Sequence, residues 1–303
     1  MNNKKYIMIG MPILTKNIFR NILRPLNNYS FKPTGGLWAS EYISNIYTIS
    51  EWHSYLLEAR SIALYKDINQ ASLFTLKENA KILEIKTFKE LQEIIQKYPS
   101  YHHSLNYYQT ITDNNNTFDF EELSKDYDGI YINPNNIEFY KSRIFDNWSV
   151  KTLLLFNLDC IKEYQSVTIE VNLDYYDCIP HITDITDTKP IEEKSNTYIE
   201  LYQLAKTIFL DLLRKNNNIV YKDYDNYLEI IIETANKTIE IINKNALSNQ
   251  LAEIYIEQKL KIDKMTIIRN IVLNIISEYF DKEKEIIKNL SKSNNTKIKT
   301  YKI

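Results

Sequence analysis

A pair of adjacent glycines, Gly35 and Gly36, constrains this chain most, because the whole sequence contains only 4 glycines. Pro33 fixes its own φ, and its ring disfavours helical geometry at Lys32, so an extended approach to the pair is expected. The pair permits a tight turn or a close approach of the backbone to another group. Residues 37–40 (LWAS) then have the pattern of a short strand. The stretch predicts either one side of a ligand-binding cleft or an ordinary β-turn that opens a core strand.

The composition is that of a globular protein, with 44% hydrophobic and 25% charged residues. A formal net charge of -2 argues against a protein that binds nucleic acid through bulk charge, although a local basic patch remains compatible with it. The 2 cysteines, Cys160 and Cys178, are too few for a disulfide framework or a zinc site, and the 4 histidines lack metal-ligand spacing. No metal is therefore expected. No run approaches the ~20 apolar residues of a membrane span, so a cytoplasmic protein without a membrane partner is expected.

The distribution of residue types divides the chain. All 4 glycines and all 3 tryptophans precede residue 150, whereas the region after residue 195 has neither glycine nor proline and carries apolar stripes at helical spacing. These patterns predict an α+β domain with a mixed or antiparallel sheet over residues 1–178. They also predict a linker at 179–194, a helical domain at 195–290 and a flexible tail at 291–303.

Local signals predict the elements of the first domain. Alternation and turn residues favour strands at residues 6–10, 37–40, 72–76, 80–85, 127–132 and 150–156. The strands at 72–76 and 80–85 are expected to form a hairpin or one bent strand. The strand at 150–156 is the most apolar and is expected to be central.

Two helices have recognisable N-terminal signals. Ser50 and Thr87 are good N-cap residues, and Pro99 ends the second helix, which is expected over residues 88–97. In the first helix, Trp52, Tyr55 and Leu56 recur at helical spacing, so an aromatic face directed to the core is expected.

The order of these parts resembles the ADP-ribosyltransferase superfamily. Many members carry a glycine followed by a short strand of the type Gly-Leu-Tyr-Phe-Ser or Thr, then a helix rich in Ala and Trp, then a strand similar to Ala-Lys-Ile-Leu-Glu-Ile. The resemblance covers about residues 5–165, and its motifs are GGLWAS at 35–40, SEW at 50–52, AKILEI at 80–85 and YDGI at 127–130.

The resemblance implies a split, strongly bent β-sheet with helices on its flanks and NAD, the substrate, in the cleft. The backbone at the glycine pair, or at the strand that ends in Gly10, would hold the nicotinamide amide. Trp38 would offer a stacking face, and Ser40 a hydroxyl for the ribose. The implied binding residues are Lys32, Gly35, Gly36, Trp38, Ser40 and Trp52.

The resemblance also implies the chemistry. These enzymes break the nicotinamide–ribose bond through an oxocarbenium-like state, which an acid bonded to the ribose hydroxyl stabilises. The candidate acids are Asp146 and Asp128, whereas the family usually has Glu. The family's first strand usually carries a His or Arg before its glycine, and none precedes Gly10 here. Arg24 or Lys32 are the possible replacements.

Three functions follow as hypotheses. The first is an NAD-dependent ADP-ribosyltransferase that modifies a protein or nucleic acid, as a toxin or phage-defence effector, with a helical domain that binds a partner protein. The second is a non-catalytic module that binds a ligand or peptide at Trp38. The third is an interaction protein that acts through its C-terminal helices. The enzyme requires the glycine pair, Trp38 and one acid in one cleft.

Overall fold

The computed structural model describes residues 4–16, 19–22, 32–33, 35–44, 48–58, 68–99, 118–139, 145, 148–171, 180–215, 224–244, 268, 270–276 and 278–279. The chain forms two compact units, Met1–Lys194 and Ser195–Ile303. The fold is mixed α+β, as the sequence predicts. Residues 100–117, which the sequence predicts to be a loop, lie outside the described residues. The pattern of residues 17–23 predicts a short helix, and this is wrong over the described residues 19–22, which are not helical.

Eight strands are described in the first unit: β1 (Lys5–Ile9), β2 (Leu37–Glu41), β3 (Gln70–Leu76), β4 (Ile82–Glu84), β5 (Gly129–Ile132), β6 (Thr152–Leu155), β7 (Ile161–Val171) and β8 (Pro180–Ile185). Its described helices are α1 (Glu51–Glu58), α2 (Phe88–Lys97) and α3 (Phe120–Leu123), with a 3-10 turn at Ile137–Phe139. The second unit contains α4 (Asn196–Lys215) and α5 (Tyr224–Lys244), and residues 268 and 270–276 are also helical.

The strands form one sheet in the order β4-β5-β6-β2-β1-β3-β7-β8. The β4–β5 pair is parallel and the other neighbours are antiparallel. The predicted hairpin between residues 72–76 and 80–85 is wrong, because β3 pairs with β1 and β7 whereas β4 pairs with β5 at the edge of the sheet. The expectation that residues 150–156 form an interior strand is confirmed, since β6 lies between β5 and β2.

Residues 180–185, within the segment 179–194 that the sequence predicts to be a linker, form strand β8 of the sheet. Strand β8 pairs with β7, and Lys189 exchanges two backbone hydrogen bonds with Tyr164 at 2.8 and 3.0 Å. Pro180 is compatible with this arrangement because it occupies the first position of an edge strand, where its missing N–H costs no ladder bond.

Both faces of the sheet are covered. One face carries a cluster that includes Tyr6, Leu37, Phe74, Leu155 and Tyr164. The other face packs against helices in two clusters. The α2/α3 cluster joins those helices to β5 and β6, and the α1 cluster joins α1 to β1, β3 and β7. Burial of these side chains is the main term that stabilises the sheet.

The second unit is held by buried polar contacts as well as by apolar packing. Asn274 Nδ2 donates to the Tyr198 hydroxyl at 3.2 Å, and the Tyr202 hydroxyl contacts the Glu278 carboxylate. Thr238 Oγ1 donates to the carbonyl of Thr234 at 2.7 Å. A search of the described helices finds none that has both the length and the apolar character needed to cross a membrane.

Candidate functional site

Strand β2 changes its partner within five residues. Residues 37–39 pair with β6, whereas Ser40 pairs with Ile7 and Glu41 pairs with Tyr6 in β1. No described ladder pair joins Met8 or Ile9 to β2, so the β1–β2 ladder ends there. We call the region between residues 8–10 and residues 36–39 the β1–β2 split. Backbone groups that face such a break have no ladder partner across it.

At the glycine pair, two segments of the chain cross in close contact, residues 20–21 and residues 35–36. The Gly36 N–H donates to the carbonyl of Arg20 at 2.7 Å. A Cβ at Gly36 would lie 2.6 Å from Leu154 Cδ1, and one at Gly35 would collide with the carbonyl of Asn21. Both residues have positive φ, 81° and 68°. The pair is therefore needed for a turn and for close approach, but the atoms that approach on the Cβ side belong to the protein itself, to its backbone at Gly35 and to side chains and backbone at Gly36.

Trp38 forms an aromatic platform with Trp148. The ring centroids are 4.9 Å apart, and Trp38 Nε1 donates to the carbonyl of Gly35 at 2.9 Å. Lys32 Nζ lies 5.6 Å and 6.0 Å from the Trp38 and Trp148 centroids, within cation–π range. Burial lowers the pKa of the Lys32 amine. Trp148 Nε1 is buried without an acceptor in the described part of the chain.

Arg20 adds a second cation that the sequence did not indicate. Its carbonyl holds Gly36, and burial lowers the pKa of its guanidinium. Among the described residues, no ion pair or hydrogen bond to the guanidinium is formed. Arg20 and Lys32 thus place two partly desolvated positive charges on segments that flank the glycine pair, an arrangement that favours an anionic ligand.

The other predicted binding residues lie apart from this platform. Ser40 is buried on the same face of β2 as Trp38. Trp52 packs in the α1 cluster and stacks on Tyr55 at 5.5 Å, whereas Trp38 packs against the α2/α3 cluster. Tyr55 is 36% exposed, so the expected inward aromatic face of α1 is wrong at that position.

His53, which sequence analysis did not select, is the polar group that α1 buries. Its side chain is 0% exposed, and neither ring nitrogen has a hydrogen-bond partner within the described structure. Burial lowers the pKa of His53 to about 4, so the imidazole is neutral at pH 7. Ser50 Oγ accepts from the His53 backbone N–H at 3.0 Å, as an N-cap does.

The contacts of α1 lie beside the end of the sheet at which β1 and β2 are paired. Helix α1 packs against β2. Glu51 accepts from the backbone and the side chain of Lys151, at 3.1 and 2.6 Å, just before β6. Leu56 belongs to the same buried cluster as Ile7 of β1. Ile7 is paired with Ser40 of β2, so this part of α1 lies beside the paired end of β1 and β2.

The Asp128 carboxylate is held by hydrogen bonds from other parts of the sheet. Its carboxylate accepts from the Lys81 N–H at 2.8 Å and from Asn157 Nδ2 at 2.9 Å. Gly129 pairs with Leu155, which pairs with Leu37, so Asp128 lies at the same end of the sheet as Gly36 with β6 between them. That separation is about 10 Å, two strand spacings. The other candidate acid, Asp146, lies outside the described residues.

Comparisons with protein-family models, with curated proteins and with solved structures gave no match. Over the described residues, no three His, Cys, Asp or Glu side chains come together in a group that would hold a metal ion.

Proposed function

We propose that the first unit binds NAD at the β1–β2 split and transfers its ADP-ribose part to a protein or nucleic-acid acceptor. The observation that carries this proposal is the change of partner along β2, which interrupts the β1–β2 ladder beside Trp38. A sheet interrupted at this strand is what the resemblance to ADP-ribosyltransferases implies. As a toxin or phage-defence effector, such an enzyme would act in the cytoplasm.

The charges around the split support a ligand with a diphosphate. Lys32 and Arg20 are partly desolvated, and NAD carries two negative charges on its diphosphate. Guanidinium and ammonium groups in such surroundings bind phosphate oxygens more strongly than exposed ones do. The half-buried Trp38 ring, tilted by 44° against the buried ring of Trp148, offers an apolar face beside them for an aromatic ring.

The proposed catalytic acid is Asp146. Both carboxylate oxygens of Asp128 already accept hydrogen bonds from the protein. If this carboxylate turned to a substrate instead, the Lys81 N–H would lose its acceptor. By the resemblance, the acid accepts a hydrogen bond from a ribose hydroxyl and stabilises the positive charge that develops as nicotinamide leaves.

The structural role of Asp128 also favours a second function. If neither acid serves catalysis, the split becomes a nucleotide-binding module without turnover. A third hypothesis, interaction through the C-terminal helices, has less support. The large apolar side chains exposed on the described surface of α4 and α5 are Ile199 and Ile232. Single exposed apolar residues are common on protein surfaces.

Nicotinamide release and NAD affinity, measured on the full chain, test the proposal. We expect wild type to bind NAD and release nicotinamide, Asp146→Asn to bind without release, and Lys32→Met to bind about tenfold more weakly, the loss of one charge-assisted contact. Lys97→Met is the matched control, because Lys97 Nζ, on helix α2, also lies over an aromatic ring, that of Tyr98, at 4.7 Å. Binding without release in wild type would favour the module, and absence of NAD binding would refute both.

A further inference from the structure

We propose that the Trp38 ring binds the neutral adenine of NAD and not its positively charged nicotinamide. This inference rests on the proposed function, in which NAD binds at the β1–β2 split, and it gives the ligand an orientation there. The resemblance to ADP-ribosyltransferases alone leaves two places for the nicotinamide, the glycine pair and the strand that ends in Gly10. The inference excludes the first of them.

The first step is which aromatic face a ligand can reach. Trp38 is half-buried, whereas Trp148 is 3% exposed, so the ligand meets Trp38. The Trp38 ring is fixed in place, because it packs on Trp148 with 4.9 Å between the centroids and its Nε1 donates to the Gly35 carbonyl at 2.9 Å. A ring held in this way offers a planar base a surface that needs no rearrangement.

The second step is the charge beside that ring. Lys32 Nζ lies over both indoles, 5.6 Å from the Trp38 centroid and 6.0 Å from the Trp148 centroid. The amine is partly desolvated, so its charge is screened less than that of an exposed lysine. The ammonium therefore already makes the cation–π contact that a cationic ligand would make with these rings.

The third step is the chemistry of the two bases. In oxidised NAD the nicotinamide ring carries a positive charge, whereas adenine is neutral at pH 7. A ring stacked on Trp38 would lie close to the Lys32 ammonium, and at such distances the repulsion between two partly desolvated charges exceeds the attraction of a cation for an aromatic face. Adenine avoids this repulsion, and the phosphate joined to its ribose attracts the same ammonium.

The fourth step is the backbone of the glycine pair. The Gly36 N–H already donates to the Arg20 carbonyl at 2.7 Å, and the Gly35 carbonyl already accepts from Trp38 Nε1. A nicotinamide carboxamide bound at the pair would need such groups as its own hydrogen-bond partners. Their use within the protein also argues against the nicotinamide at this place.

The test compares three ligands that differ in the base. They are adenosine monophosphate, nicotinamide mononucleotide and reduced nicotinamide mononucleotide, of which only the oxidised nicotinamide has a cationic ring. Their affinities for the full chain, and that of NAD, are measured by calorimetry. Trp38→Leu removes the ring and Trp38→Phe retains one, and both lose the hydrogen bond to Gly35, so a difference between them reports the ring. Tyr55→Leu is the matched control, because Tyr55 is an exposed ring on α1 that stacks on Trp52 at 5.5 Å.

We expect wild type to bind adenosine monophosphate about tenfold more tightly than nicotinamide mononucleotide, and the reduced mononucleotide more tightly than the oxidised one. Lys32→Met should bring the first two affinities to within about threefold of each other, because it removes the charge that separates them. Trp38→Leu should bind adenosine monophosphate about tenfold more weakly than Trp38→Phe does. Tyr55→Leu and Lys97→Met should bind all ligands as wild type does.

The proposal fails if nicotinamide mononucleotide binds as tightly as adenosine monophosphate, or if Trp38→Leu and Trp38→Phe bind adenosine monophosphate equally. Wild type that binds adenosine monophosphate through Trp38 but neither binds NAD nor releases nicotinamide would refute the proposed function and support the adenine contact. Wild type that releases nicotinamide from NAD but prefers the nicotinamide mononucleotide would do the reverse. If none of these nucleotides binds, both proposals fail.

Discussion

Lys81 and Asp128 are joined by two reciprocal hydrogen bonds. The Lys81 N–H donates to Asp128 Oδ2 at 2.8 Å, and the Asp128 N–H donates to the Lys81 carbonyl at 2.9 Å. Asn157 Nδ2 donates to the second carboxylate oxygen at 2.9 Å. The carboxylate thus connects the chain entering β4, the chain entering β5 and the chain leaving β6. This role explains an Asp before a glycine without any catalytic function.

Replacing Asp128 is therefore expected to affect stability first. Asp128→Ala removes an acceptor shared by two donors, and we expect the free energy of unfolding to fall by about 2 kcal/mol. Urea denaturation followed by circular dichroism measures this. Asp184→Ala, an exposed residue of β8, should change it by less than about 0.5 kcal/mol. An Asp128→Ala protein of unchanged stability that has lost nicotinamide release would instead make Asp128 the acid.

Gly10 and Gly36 differ in the space around them. Alanine substitution should therefore separate the cost of a positive φ from the cost of a steric clash. Gly10 and Gly36 both have positive φ, 86° and 68°, which costs an alanine roughly 1–2 kcal/mol. A Cβ at Gly10 would meet nothing within 4 Å, whereas at Gly36 it would lie 2.6 Å from Leu154 Cδ1 and 2.8 Å from the Leu155 carbonyl. We expect Gly36→Ala to lose at least about 2 kcal/mol more than Gly10→Ala in the same denaturation measurement. Equal losses in the free energy of unfolding would show that the residues around Gly36 shift to admit the added methyl group at no cost.

Signals that depend on neighbouring residues were predicted well from the sequence. Helix α2 runs over Phe88–Lys97 as expected, because Thr87 and Glu90 form a reciprocal capping box. The partners of the box lie three residues apart, so the sequence itself contains the interaction.

Pairings between distant segments could not be predicted in this way. Strand β3 is joined to β7 through pairs such as Gln70 with Thr168, and nothing near Gln70 specifies that partner. The same limit hid β8 within an apparent linker. It also limited the site, since Arg20 approaches Gly36 only through tertiary structure. For His53 one signal was available, its spacing of three residues from Leu56, but the aromatic residues of α1 obscured it.

Cys160 should be chemically inert, which argues against thiol catalysis at this residue. The side chain is buried, its Sγ donates to the Asn157 carbonyl at 3.3 Å, and burial raises its pKa to about 12. At pH 8 the thiolate fraction is then about one in ten thousand. We expect no alkylation of Cys160 by iodoacetamide in the native protein and complete alkylation in 6 M guanidinium, as measured by peptide mass spectrometry. Rapid native labelling would contradict this environment.

The buried imidazole of His53 should make stability depend on pH. Its pKa is about 4 in the folded protein, below the ordinary value of 6.5 expected when the chain is unfolded. Between these values the unfolded state binds more protons, so the free energy of unfolding rises with pH. The contribution is complete above pH 6.5 and is lost as the pH falls towards 4, at up to about 1.4 kcal/mol per pH unit.

Comparison of wild type with His53→Leu isolates this contribution from other titrating groups. The leucine cannot be protonated, so between pH 7 and pH 4.5 the variant should gain about 2 kcal/mol relative to wild type. His181→Leu removes an exposed histidine and should follow the wild-type curve over the same range. Unfolding free energies from urea titrations at half-unit pH steps provide the measurement. Parallel curves for wild type and His53→Leu would mean that the imidazole is solvated or hydrogen-bonded in the folded protein.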